Sequence, residues 1–85
     1  MPTIKLFANL RKIAGQKELS ITGSTLNTAL NHLVQKHPEL DEVILENGQI
    51  RSHMIVTIKG QTITGLNMAV TEEDTIAIFP PIGGG

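Results

Sequence analysis

Apolar and polar residues alternate near both ends of the chain and follow a helical stripe in between. From Thr3 to Ala8, the residues Ile4, Leu6 and Ala8 share one face and Lys5 and Phe7 the other, the pattern of a strand. Asn9 to Gly15 reads as one short helical turn. Asn9 is placed to cap it, Leu10, Ile13 and Ala14 form its apolar side, and Gly15 suits a left-handed end. Lys17 to Ile21 is a second strand with Leu19 and Ile21 inward. Ser24 is the expected cap of the main helix, where Leu26, Ala29, Leu30, Leu33 and Val34 make an unbroken stripe. Pro38 disfavours helical geometry at His37 and ends that helix.

Beyond it, Leu40, Val43 and Ile44 predict a short second helix within Glu39 to Glu46, and Asn47-Gly48 a turn. Ser52 to Lys59 is a strand with Met54, Val56 and Ile58 inward and Ile55 and Thr57 outward. Gly60 turns the chain into a short edge strand over Gln61 to Thr64. Gly65 to Thr71 is irregular, with Leu66 and Met68 available to cover the core. Glu72-Glu73-Asp74 reads as a solvated turn. Thr75 to Phe79 is the last strand, with Ile76 and Ile78 inward.

A hairpin, a crossover helix and further strands of one sheet give an α+β fold. The expected form is the β-grasp, or ubiquitin-like, roll: a mixed sheet of four to five strands with one main helix on one face. Its first and last strands lie parallel at the centre. Phe7 and Phe79 then become neighbours on the face away from the helix, an apolar patch suited to docking a partner. The expected organisation is a β-grasp domain over 1–81 and a flexible C-terminal tail over 82–85.

Composition narrows the function. With 85 residues and only Phe7 and Phe79 as aromatics, the chain supports one small aliphatic core. A net charge of −1 with no basic cluster argues against nucleic acid as a partner. No apolar run approaches the roughly 18 residues of a membrane span. The first residues lack a secretory layout, so the expected location is cytoplasmic. The absence of cysteine removes thiolate metal sites and cysteine nucleophiles. His32, His37 and His53 do not sit at ligand spacing and read as surface residues, so no metal site is expected. No phosphate-binding glycine loop precedes a helix, and no serine or threonine has an evident base.

What remains is the ending, Phe79-Pro80-Pro81-Ile82-Gly83-Gly84-Gly85. An α-carboxylate there is ionised at neutral pH and can attack the α-phosphate of ATP to form an acyl adenylate. Glycines without Cβ atoms can thread a narrow enzyme channel, and two prolines hold the approach extended.

These residues resemble the MoaD/ThiS family of sulfur carriers. Phe7-Ala8-x-Leu10-Arg11-x-Ile13-Ala14-Gly15 is similar to the MoaD opening, and Phe79-Pro80-Pro81 followed by the glycines to its ending. The short helix after the first strand favours MoaD over ThiS. Two positions depart from the pattern: Ile58-Lys59-Gly60 replaces Val-Asn-Gly, and Glu72-Glu73-Asp74 replaces Asp-Gly-Asp. The resemblance implies a non-catalytic carrier, the small subunit of a molybdopterin synthase-type complex, with no bound cofactor. An E1-like adenylating enzyme of the MoeB/ThiF type, using ATP and magnesium, would activate Gly85. A sulfur donor would convert it to a thiocarboxylate, and a MoaE-type large subunit would receive the tail. Gly84 and Gly85 are the implied functional residues; Phe7, Phe79, Pro80, Pro81 and Gly83 are the implied partner interface. The alternatives are a carrier for thiamine, cysteine or tRNA thiolation, a ubiquitin-like protein modifier, and a β-grasp interaction domain with an idle tail.

Overall fold

In the computed structural model, which describes residues 1–80, the elements run β1 (Thr3–Leu6), α1 (Asn9–Ala14), β2 (Glu18–Ser20), α2 (Leu26–Lys36), a 3-10 turn (Pro38–Leu40) and α3 (Asp41–Ile44). They continue with β3 (Leu45–Glu46), β4 (Gln49–Ile50), β5 (Ile55–Ile58), β6 (Gln61–Ile63) and β7 (Thr75–Phe79). The expected tail over 82–85, and Pro81, lie outside the described residues.

Five strands form one mixed sheet in the order β2-β1-β7-β5-β6. The central pair, β1 and β7, is parallel, with Ile4 opposite Ile76 and Leu6 opposite Ile78. The other neighbours are antiparallel, and Val56 and Ile58 of β5 face Ile78 and Ile76. This is the β-grasp architecture. The period-2 apolar face of these strands meets the stripe of α2, and Leu26, Ala29, Leu30 and Leu33 are buried with Ile4, Leu6, Val56, Ile58, Ile76 and Ile78. Each fully buried side chain of this size stabilises the fold by about 1.5–3 kcal/mol.

Several local expectations are corrected. Thr25, not Ser24, caps α2: its Oγ1 accepts the Thr28 N–H at 3.2 Å. The N–H groups of Leu26 and Asn27 donate to the carbonyls of Met68 and Leu66, so the irregular segment satisfies first-turn donors that a helix leaves open. Leu66 is half-buried, whereas Met68 is exposed and does not cover the core. Asn47-Gly48 does turn the chain, but inside a two-stranded hairpin of β3 and β4 that the short flanks did not announce.

Asp74 is the largest departure. Glu72 and Glu73 are exposed, yet Asp74 is only 5% exposed. Its Oδ2 accepts the Thr71 N–H at 2.8 Å, and its Oδ1 lies 3.5 Å from the Lys59 ammonium. The Thr71 N–H foremost, with Lys59 assisting, holds this carboxyl below the ordinary carboxylate range against the opposing effect of burial. The Asp74 carbonyl also accepts the Thr3 N–H at 3.0 Å, which ties the start of β7 to the start of β1.

Candidate functional site

The face of the sheet away from α2 carries the side chains that alternate with the core. Parallel pairing of Leu6 with Ile78 places the next residues on each strand, Phe7 and Phe79, side by side. Their rings stack with centroids 4.3 Å apart and planes 15° from parallel. Such a pair is worth about 0.5–1.5 kcal/mol beyond its buried area. Both rings are half-buried, because each covers part of the other.

A third apolar residue extends the row. Ile55 of β5 lies directly opposite Phe79 and is 43% exposed. Ala77, one pleat away, sits between Lys5 and Thr57. Sequence reasoning placed Ile55 on this face but did not count it as part of the site. Its alternation was readable; the register that sets it against Phe79 was not.

The corner after Phe7 differs from the expected strand. β1 stops at Leu6, and Ala8 is exposed rather than inward. Ala8 takes φ 56°, ψ −130°, a conformation that side chains with a Cβ rarely adopt. It also precedes α1 as its cap residue, a position the sequence pattern gave to Asn9. Holding such a conformation costs about 1–3 kcal/mol. Two anchors enforce it: Leu10 is fully buried on the α2 side of the sheet, and Phe7 is stacked on the opposite side.

Pro80 is half-buried and closes an open groove of about 300 Å³, whose walls include Asn9, Val43, Arg51, His53 and Met54. The Arg51 Nε donates to the Glu42 carbonyl at 2.7 Å, which fixes its guanidinium at the groove edge. Pro81, Gly83, Gly84 and Gly85 lie outside the described residues. His32 bonds the Thr22 carbonyl and His37 pairs with Gln16, while His53 is exposed. Among the described residues, no three potential metal-ligating side chains gather, and no buried side-chain polar atom lacks a partner. No helix among them is long and apolar enough to cross a membrane.

Comparison with known proteins agrees with this geometry. The model of the ThiS family matches residues 4–85. The chain is 33% identical to small archaeal modifier protein 1 of Haloferax volcanii over 95% of this chain and 97% of that one. It is 34% identical to the molybdopterin synthase sulfur carrier subunit of Arabidopsis thaliana, over 96% of this chain and 80% of the relative. The solution structure of small archaeal modifier protein 1 from Methanosarcina acetivorans superimposes with a TM-score of 0.89 at 34% identity, covering 99% of this chain and 95% of the other.

Proposed function

Because the chain belongs to the ThiS family, we propose that it is a cytoplasmic, non-catalytic sulfur carrier whose C-terminal Gly85 is the reactive group, serving molybdopterin biosynthesis. The observation that carries this reading is the sequence ending Phe79-Pro80-Pro81-Ile82-Gly83-Gly84-Gly85, whose first residue closes the central strand β7 and stacks on Phe7. The carrier subunit among its relatives supports the same reading.

The chemistry needs three partners. A MoeB/ThiF-type adenylating enzyme binds ATP and magnesium. A Gly85 carboxylate oxygen attacks the α-phosphorus, and pyrophosphate leaves. A persulfide donor displaces AMP to give an acyl disulfide, and a second thiol cleaves that disulfide to leave the thiocarboxylate. A MoaE-type large subunit then accepts the sulfur. In this scheme Phe7, Phe79 and Ile55 supply apolar contact area, while Pro80 and Pro81 limit the ordering entropy of the approach. Gly83 and Gly84 keep it slim.

A second reading is favoured by the two relatives named small archaeal modifiers: Gly85 joined to lysine amines of other proteins. Both readings require the same adenylation. Deleting Gly84 and Gly85 is expected to abolish ATP–pyrophosphate exchange by the adenylating enzyme and leave the melting temperature unchanged. Exchange that survives the deletion would contradict both.

A further inference from the structure

We propose that, in the free protein, the chain after Pro80 folds back into the groove beside it, with Ile82 against Val43 and Met54 and the Gly85 carboxylate on Arg51. The groove is then a resting place for the protein's own tail. The inference rests on the carrier reading above, in which Gly85 ends in a carboxylate, and adds a contact that withholds that group.

The groove, about 300 Å³ in volume, has an apolar wall and a cationic rim. Val43 and Met54 line it, and both are half-buried and packed on the core. Arg51 lines it as well and is anchored three times. Its N–H donates to the Ile44 carbonyl at 2.9 Å, its carbonyl accepts the Met54 N–H at 3.1 Å, and its Nε donates to the Glu42 carbonyl at 2.7 Å. These bonds fix the guanidinium and engage one of its three nitrogens. Among the described residues the ion pair is Lys59 with Asp74, so the two terminal nitrogens of Arg51 have no carboxylate partner there. A guanidinium held this way is preorganised to take a carboxylate end-on.

The tail matches both features. Pro80 itself lines the groove, so residues 81–85 start at its wall. Five residues reach at most about 18 Å, enough to cross a cavity of that size. Beyond Pro81, Ile82 is the one tail residue with apolar surface to bury, and Gly85 brings the one negative charge. Three glycines permit the chain reversal that two prolines resist. The Glu42 side chain also lines the groove and repels a second carboxylate, but it is exposed and screened. An exposed ion pair between separate molecules is weak; the tether keeps this carboxylate near Arg51 at an effective concentration on the order of millimolar.

The test is NMR on the free, full chain, compared with Arg51→Gln, whose amide can still donate to the Glu42 carbonyl. The wild type is expected to show nuclear Overhauser contacts from the Ile82 methyl groups to Val43 and Met54, and the Gly84 and Gly85 amides should shift in Arg51→Gln. Absence of those contacts, or amides unmoved by the substitution, would overturn the proposal. Contacts that fade on dilution would give the groove to the tail of a second copy and overturn it equally. The second arm is ATP–pyrophosphate exchange with a purified MoeB/ThiF-type enzyme. Because the enzyme takes only the released tail, Arg51→Gln should lower KM about twofold with kcat unchanged. A raised KM would make Arg51 a contact of the enzyme instead. If the wild type supports no exchange, the carrier reading fails, and the NMR arm alone decides what fills the groove.

Discussion

Phe7 lies flat on Phe79, ring centroids 4.3 Å apart, across the one parallel strand pair of the sheet. Both rings are half-buried, and the exposed Ile55 lies opposite Phe79 on the next strand. Phe79→Ala is expected to lower stability by about 1–2 kcal/mol through loss of the stack and part of the buried area. It should weaken binding to the adenylating enzyme by more than about tenfold, as loss of a central aromatic contact does. Ile55→Ala should separate the two effects: exposed in the free protein, it should change stability by less than about 1 kcal/mol and still reduce affinity. Chemical denaturation and calorimetric titration measure both. A Phe79→Ala protein that loses stability but binds normally would make the stack a part of the core.

Asp74 gives a pH prediction. Its carboxyl is held below the ordinary range in the folded state, so the unfolded chain takes up a proton at higher pH than the folded one. Its contribution is therefore fully present above the unfolded value of about 3.9 and fades as pH falls through the lower folded value. The melting-temperature gap between wild type and Asp74→Asn should be open at neutral pH and close below about pH 4. A gap that stays constant into strong acid would mean that the charge on Asp74 does not hold the Thr71 turn.

Gly23 predicts a packing defect. A Cβ built there meets the Ala29 backbone nitrogen at 2.7 Å and its Cα at 2.9 Å. Gly23→Ala forces α2 and the loop at Gly23 apart, at a cost of about 1–3 kcal/mol. The docking face lies on the other side of the sheet, so affinity for the enzyme should be little changed once the variant is folded. Urea denaturation measures the loss; a value below about 0.5 kcal/mol would show that the contact between the loop and α2 relaxes freely.

How much of this was legible in the sequence depends on how local each signal is. The alternation at Ile4 and Leu6, Val56 and Ile58, and Ile76 and Ile78 identified the strands and their inner face, and the stripe from Leu26 to Val34 identified α2. The order of elements, read as a β-grasp, then placed the first strand beside the last, so the meeting of Phe7 with Phe79 was predictable. Three features were not. Alternation carried Ala8 inward, because nothing local shows that Leu10 must return to the core within three residues. Asp74 looked like its neighbours Glu72 and Glu73, because its partners include Lys59, distant in sequence. Lys59 itself stands at φ 55° where the family pattern has asparagine, and its ion pair with Asp74 is visible only once β5 and β7 are side by side. Ser24 and Thr25 are equally able caps by chemistry; the burial of Leu26 next to Thr25 decides between them.

The central claim is that Gly85 is activated and then loaded with sulfur. The most direct measurement is intact-mass analysis of the full chain after incubation with the adenylating enzyme, ATP, magnesium and a persulfide donor. The predicted result is replacement of one carboxylate oxygen by sulfur, mapped to Gly85 by fragmentation and lost in the chain that lacks Gly84 and Gly85. Lysine-linked conjugates in place of the thiocarboxylate would establish the modifier reading. An unchanged mass with a set of adenylating enzymes, each active on its own carrier, would contradict the account.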